Sequence, residues 1–366
     1  METRPLLSLC MIVKNEAHTM ASTLLSIKPY IDQWFIIDTG STDGTQEIIQ
    51  KTMNGVYGVL YEEPFENFAV TRNKSLEFAR CDYNPSHFTM YADADDILLN
   101  GSALREYLET QRNNTTSAYY LKIDTGIVFT STRVFPTDAC WRFVGAVHEV
   151  LIHPEYIPCG SIPDVKIMHY SPPISAEASC KRWERDLVLL KKDLDENPKN
   201  ARAAFYYANT LTWLGRYDLA KVAHEYRISL GGWNEEQYDS SMSLARIAVA
   251  LQYDFSNIIN LYLNAYNISP HRAEPLFEIA NYYHNNNNSA LCFLFAYRAF
   301  QLSYPIQDKL FIDENVYKYK AAELVGIHAW YLGEFEIGEA AARKASLANP
   351  NDERLAKNLK FYLDRK

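Results

Sequence analysis

Positive charge is in short supply. Against 45 Asp and Glu there are 36 Lys and Arg, a formal balance of −9, so the chain lacks the basic surplus with which proteins neutralise a nucleic-acid backbone. No nucleic-acid partner is expected. Cysteine is sparse and scattered, at Cys10, Cys81, Cys140, Cys159, Cys180 and Cys292, with no CxxC pair. That spacing excludes a disulfide scaffold or a zinc ribbon and reads as reduced thiols. Only 14 Gly and 15 Pro among 366 residues exclude collagen-like and low-complexity chains. The longest strongly apolar run, around Ala290–Tyr297, falls far below the ~18–20 residues of a membrane-spanning helix. No basic segment followed by a long apolar one opens the chain, so no signal peptide and a cytoplasmic location are expected.

What is present is a globular composition, 48% hydrophobic, arranged in two grammars. From Leu7 to about Tyr170, short apolar runs alternate with helical patterns. Strands are expected at Leu9–Val13, Trp34–Asp38, Gly58–Tyr61 and Phe88–Ala92, with helices at Ala17–Lys28, Gly44–Met53 and Asn67–Ala79 between them. Such alternation implies βαβ units and a largely parallel sheet, which binds ligands at the carboxyl ends of its strands. Ser117–Asp124 and Ile127–Phe135 around Thr125-Gly126 resemble a hairpin, so the sheet is expected to be mixed.

Near Ser171-Pro172-Pro173 the strand signal ends, and from Ala176 onward the sequence reads as helices. Small residues and prolines there fit four degenerate frames of a tetratricopeptide-like repeat. These are Pro198, Gly215, Tyr217 and Ala220; Ala245, Ile258, Ala265 and Pro270; Ala280, Tyr283, Ala296, Ala299 and Pro305; and Gly326, Gly333, Ala342, Ala345 and Pro350. Small side chains let paired helices approach, and proline ends each pair. The expected division is 1–172 for the α/β domain and 173–366 for the all-α repeat domain; an irregular helical bundle is the alternative.

The sharpest chemical signal is Phe88-Thr-Met-Tyr-Ala-Asp93-Ala-Asp95-Asp96, an apolar strand running into three carboxylates. Strand alternation would place Asp93 and Asp95 on one side. Like charges so close repel unless neutralised, and hard oxygen ligands suit Mg²⁺ or Mn²⁺. The alternative, an N-cap for a helix over Leu98–Arg112, would need only one of the three. Asp38 closes the second strand, where a carboxylate can accept hydrogen bonds from a base or ribose, whereas Asp43 with Gln46 looks like a structural capping box. Arg72, Asn73 and Lys74 give the third helix a cationic start suited to an anion, or else two solvated charges. His148-Glu149 interrupts an apolar stretch, and His169 falls at a strand end. Each could be only a satisfied polar group, but a metal ligand, a base and phosphate donors together are what group transfer needs.

In order and separation, Cys10-Met-Ile-Val13-Lys-Asn-Glu16, Asp38-Thr-Gly-Ser-Thr-Asp43-Gly-Thr, Arg72-Asn-Lys74 and Asp93-Ala-Asp95-Asp96 resemble family 2 glycosyltransferases of the GT-A fold over about residues 6–170. Arg133-Val-Phe, Gly145-Ala-Val-His148-Glu149 and His169, followed by helical repeats, are similar to a narrower group. It includes bacteriocin S-glycosyltransferases and lipopolysaccharide-core glucosyltransferases. The resemblance implies an α/β GT-A domain with Val13 and Glu16 bordering a nucleoside pocket. Asp38 and Arg72 would read the base, most often uracil, and Asp93 would touch the ribose. Asp95 of the DXD motif and His169 would hold a metal bridging the sugar diphosphate. Glu149 would be the general base of an inverting transfer, and His148 would line the site; Asp138 and Asp124 are fallback bases.

The expected function is therefore metal-dependent inverting transfer of a hexose from a nucleotide sugar, a UDP-hexose, to a protein, peptide or glycan acceptor, with Mn²⁺ or Mg²⁺. The helical repeats are expected to bind a peptide or partner and to allow homo-oligomers. The alternative is a non-catalytic scaffold built on an inactive transferase-like domain. A nucleotidyltransferase is disfavoured because Val13-Lys-Asn-Glu-Ala17 lacks a glycine-rich phosphate loop.

Overall fold

The computed structural model describes residues 4–125, 128–169 and 175–365. They divide into two compact units, Met1–Leu189 and Leu190–Lys366. The expected junction at 172/173, the Ser171-Pro172-Pro173 break and the hairpin residues Gly126 and Ile127 lie outside the described residues.

The first unit opens with β1 (Leu7–Val13), α1 (Met20–Ile27), β2 (Gln33–Asp38), α2 (Thr45–Met53), β3 (Tyr57–Glu62), α3 (Phe68–Arg80) and β4 (Phe88–Tyr91). β1 pairs in parallel with β2 and β4, and β2 with β3, as the alternation requires. Alternate β1 residues go to opposite faces: Leu7, Leu9, Met11 and Val13 join Met20, Leu24 and Ile49 in one core, while Cys10 packs with Leu76 and Phe143 in the other. Both faces are covered, which is why the strand reads as an unbroken apolar run.

Past β4 the chain forms β5 (Asp96–Leu99), α4 (Gly101–Thr110), β6 (Tyr119–Asp124), β7 (Val128–Pro136), β8 (Arg142–Val144), β9 (Val150–Ile152) and β10 (Gly160–His169). The main sheet has the order β3-β2-β1-β4-β7-β6-β10-β5 and is mixed, since β7 runs antiparallel to β4 and β6, and β5 antiparallel to β10. A separate two-stranded sheet, β8-β9, carries the Gly145–Glu149 turn at its tip. The long helix expected from Leu98 is instead a short strand followed by α4. Asp96–Leu99 is captured as an edge by β10, a pairing with residues 166–169 that local periodicity does not encode.

After α5 (Ala176–Glu196) the chain is helical: α6 (Ala201–Trp213), α7 (Tyr217–Ser229), α8 (Asn234–Ala250), α9 (Phe255–Ile268), α10 (Glu274–Asn285), α11 (Ser289–Phe300), α12 (Ala321–Leu332), α13 (Phe335–Ala348) and α14 (Glu353–Leu363). Each packs on the next in tetratricopeptide-like pairs. The small residues of the four frames sit where helices touch, with Ala220, Ala245, Ala265, Ala280 and Ala296 wholly buried. A Cβ added to Gly326 would stand 3.3 Å from that of Ala342, so this approach admits little more than hydrogen. The third interval is lengthened by residues 301–315. Buried Arg272 holds this insertion through the Leu310 and Phe311 carbonyls, and Glu235 through the Lys309 and Leu310 amides.

Candidate active site

The carboxyl ends of β1, β2 and β4 meet at one edge of the sheet. Val13 lies opposite Asp38 in the β1-β2 register, and its carbonyl accepts from the Thr39 amide at 2.9 Å. Asp38 is fully buried. Its Oδ1 accepts from the Gly40 and Ser41 amides at 2.9 and 2.8 Å and from Gln46 Nε2 at 3.0 Å. Burial pushes this carboxyl upward, but the hydrogen bonds from Ser41, Gln46 and Gly40 outweigh it and hold the group below the usual carboxylate range. Asp38 Oδ2 is buried with no hydrogen-bond partner among the described residues.

The Asp43-Gln46 capping box does not form. Gln46 reaches back to Asp38, and Gly44 is the N-cap of α2. Asp43 remains structural, accepting from the Ala17 amide at 3.0 Å and Thr45 Oγ1 at 2.5 Å, which ties the β1 and β2 loops together. Glu16 lies in the first of these loops, its amide donating to Thr45 Oγ1 at 2.8 Å. Burial, then the charge of Asp95, raises its carboxyl above the ordinary value.

Asp93 and Asp95 do not share a strand face, contrary to the period-two expectation. β4 ends at Tyr91, and the chain turns so that the Asp96 amide donates to the Asp93 carbonyl at 3.1 Å while the Asp93 amide donates to Asp96 Oδ2 at 2.9 Å. The turn aims the three carboxylates differently. Asp93 receives Arg72 Nη2 at 2.5 Å on Oδ1 and Arg133 Nη1 and Nη2 at 3.1 and 3.2 Å on Oδ2. Asp95 Oδ2 lies 3.3 Å from His169 Nε2. Asp96, wholly buried, takes His169 Nδ1 at 3.0 Å.

Both guanidinium groups rest on aromatic faces, Arg133 Cζ 4.3 Å and Arg72 Cζ 5.0 Å from the Tyr91 ring centre. Burial alone would raise Asp93, but Arg72 and Arg133 reverse that and hold it well below the usual range. Its bond to Asp96 moves His169 the other way, above the ordinary imidazole value against the pull of burial, with Asp95 adding to the rise.

Arg72 is no solvated cation at a helix start. Asn67 caps α3 by accepting from the Val70 amide at 2.8 Å, and Arg72 projects from the second turn into a buried position between two acids. Its Nε stands 2.7 Å from Glu149 Oε1, a contact of charges whose N–H is not aimed for a directed hydrogen bond. Lys74 pairs with Glu66 at 2.8 Å and Glu63 at 3.4 Å. Between them Asn73 exchanges hydrogen bonds with the Phe143 backbone, donating to its carbonyl at 2.9 Å and accepting from its amide at 2.8 Å. That staple joins α3 to β8 and brings Glu149 onto Arg72.

Glu149 is nearly buried, and its Oε2 has no partner among the described residues. His148 is exposed, on left-handed backbone with φ +51°. The fallback carboxylates are engaged elsewhere, Asp138 with Arg4 at 2.6 Å and Asp124 with Lys166.

Asp95, Asp96 and His169 are the one group of three or more metal-ligating side chains among the described residues with donor atoms within 4.8 Å of one another. Carboxylate oxygens with one imidazole nitrogen form a mixed donor set of the kind that holds a divalent cation. Two participants had no role in the sequence reading: Arg133, whose only signal was its place in the Arg133-Val-Phe block, and Tyr91, the last residue of a strand that otherwise reads as core.

Residues 8–159 match the family model described as glycosyl transferase family 2, so the first unit carries a family 2 glycosyltransferase domain. Among curated proteins, the chain is similar to the SPbeta prophage-derived glycosyltransferase SunS of Bacillus subtilis, 26% identical over 222 residues that make up 58% of this chain and 50% of that protein. A TPR repeat-containing protein of Synechococcus elongatus is 34% identical over 92 residues, 25% of this chain and 21% of that one. The chain thus spans half the length of SunS and less of the second relative. A crystal structure of S. aureus TarS matches with a TM-score of 0.40 and 14% identity, covering 69% of this chain and 54% of that one.

Proposed function

We propose that the chain is a metal-dependent, inverting glycosyltransferase that moves a hexose from a UDP-sugar to a protein, peptide or glycan acceptor, with residues 1–172 as the transferase domain and 173–366 as the repeat domain. One observation carries the reading: Asp95 and His169, far apart in sequence, come within 3.3 Å beside the Asp93–Arg72–Glu149 chain of ion pairs.

Asp95 and His169 would hold the divalent ion, Mn²⁺ or Mg²⁺. When bound, such an ion offsets the negative charge that grows on the departing nucleoside diphosphate. Asp38 Oδ2 offers a buried acceptor with no donor of its own, which a base N–H would satisfy. In this reading Val13 and Glu16 would border that pocket, Arg72 would read the base with Asp38, and Asp93 would touch the ribose. Glu149 keeps one oxygen on Arg72 and presents the other to the acceptor, whose proton it would take as the nucleophile attacks the anomeric carbon. Exposed His148 lies at the rim. A single in-line displacement inverts the configuration.

The helical unit is assigned to acceptor or partner binding, with homo-oligomers as one use of its surface and the cytoplasm as the compartment.

Incubation with UDP-hexoses and Mn²⁺ tests the assignment. The wild type should cleave donor, Asp95→Asn should lose the metal-stimulated cleavage, and Glu149→Gln should bind nucleotide without transferring sugar. Folded wild-type protein that neither binds nor cleaves any donor would establish the scaffold reading instead, and full turnover by Glu149→Gln would reassign the base.

A further inference from the structure

Two carboxylates face the His169 ring, but they are not equivalent. Asp95 and His169 are partly open to solvent, with side chains 23% and 27% exposed, whereas that of Asp96 is 1% exposed. Both oxygens of Asp96 are already engaged. Oδ1 faces His169 Nδ1 at 3.0 Å, and Oδ2 accepts the Asp93 amide at 2.9 Å with Arg133 Nη1 at 3.3 Å. A cation on Oδ1 would compete with His169, and one on Oδ2 with the Asp93 amide and Arg133.

We infer that Asp96 is a positioning residue and not a third metal ligand: it holds the neutral His169 ring as its Nδ1–H tautomer and thereby turns the Nε2 lone pair toward Asp95. This rests on the metal reading of the preceding subsection. The physics is that of a carboxylate behind a ligating histidine. A ring nitrogen that carries hydrogen cannot coordinate, so whichever nitrogen donates to the carboxylate leaves the other available. Both ring nitrogens face carboxylate oxygens, which accept, and the Nδ1–Asp96 contact is the shorter and the buried one, 3.0 Å against 3.3 Å for Nε2–Asp95, so Nδ1 is assigned the hydrogen. Arg133, resting on the Tyr91 ring, stands 3.3 Å from Asp96 Oδ2 and fixes that carboxylate from the side away from His169.

Asp96→Asn separates this role from a ligand's. The Oδ2 position receives two donors, so the amide oxygen must remain there and the NH₂ must face Nδ1. The ring then accepts at Nδ1 and carries its hydrogen on Nε2, with almost no change in shape. In ¹⁵N-histidine spectra of the metal-free full chain, at a pH where the ring is neutral, the wild type should give the Nδ1–H pattern and Asp96→Asn the Nε2–H pattern. Mn²⁺ uptake, followed by loss of the free-ion EPR signal, should weaken by roughly 10–100-fold in Asp96→Asn. Asp95→Asn should lose uptake with the wild-type tautomer retained.

An Nε2–H ring in the wild type, or wild-type Mn²⁺ affinity in Asp96→Asn, overturns the inference. If Asp96→Asn does not fold, the wild-type tautomer still decides. Absence of Mn²⁺ uptake by the wild type overturns the metal reading and this inference with it, and is told apart because the tautomer is read without metal.

Discussion

Replacing Arg72 by methionine keeps the aliphatic stem and removes the charge that joins Asp93 to Glu149. In the folded protein the Arg72 side chain is 10% exposed and the Glu149 side chain 12%, so Glu149 would be left nearly buried with no cation beside it. Asp93 would retain Arg133 at 3.1 Å, which confines most of the damage to the Glu149 side. Removing one partner of a buried pair costs about 3–5 kcal/mol; with Arg133 still in place we expect about 3 kcal/mol. For a unit of this size that is a fall in melting temperature of roughly 6–12 °C. Urea titration of the full chain measures the loss, and hydrogen exchange at the β4 amides assigns it to the first unit. Adding Glu149→Gln should restore part of it, with a coupling of about 1–3 kcal/mol in the double-mutant cycle. A loss below about 0.5 kcal/mol, the range of ordinary surface substitutions, or a cycle without coupling, would refute the buried-pair argument.

Two further changes probe other parts of the fold. Gly145 has φ +114°, and a Cβ there would meet the Val147 carbonyl oxygen at 3.3 Å and Glu149 Cα at 3.4 Å. Gly145→Ala should therefore cost about 1–3 kcal/mol and depress sugar transfer more than nucleotide binding, which steady-state kinetics and UDP titration separate. His224 is fully buried, and burial pulls its imidazole down to about 3. The unfolded chain takes up a proton below about pH 6.5 while the folded ring stays neutral. Stability is thus complete above that pH and falls by about 1.4 kcal/mol per unit between about 6.5 and 3. From pH 6.5 to 5 the wild type should lose about 2 kcal/mol more than His224→Gln; parallel urea curves at both pH values would remove His224 as the cause.

The βαβ start was legible because each of its signals is local. Strands buried on both faces read as apolar runs, and the observed β1, β2 and β3 each contain the expected segment. The small residues of the helical frames were equally legible, since a helix pair that approaches closely tolerates little else. What periodicity could not deliver is pairing at long range. The strand rule placed Asp93 beside Asp95, but it stops applying where the backbone turns after Tyr91. Arg72 looked like a surface cation because nothing near it in sequence reveals that Asp93 and Glu149 enclose it. Gln46 obeyed the capping spacing yet found a better acceptor in Asp38, and Asp96–Leu99 became a strand only because β10 lies alongside.

The reciprocal bond between the Asn73 amide group and the Phe143 backbone has a bearing on engineering. One side chain bolts β8 to the third helix, so a loop of new sequence between β8 and β9 keeps its anchorage while asparagine is kept at position 73. A library that varies the tip outside Gly145 and Glu149 and leaves the bolt untouched would change the loop without loosening its attachment to α3. Randomising position 73 as well would confound the two.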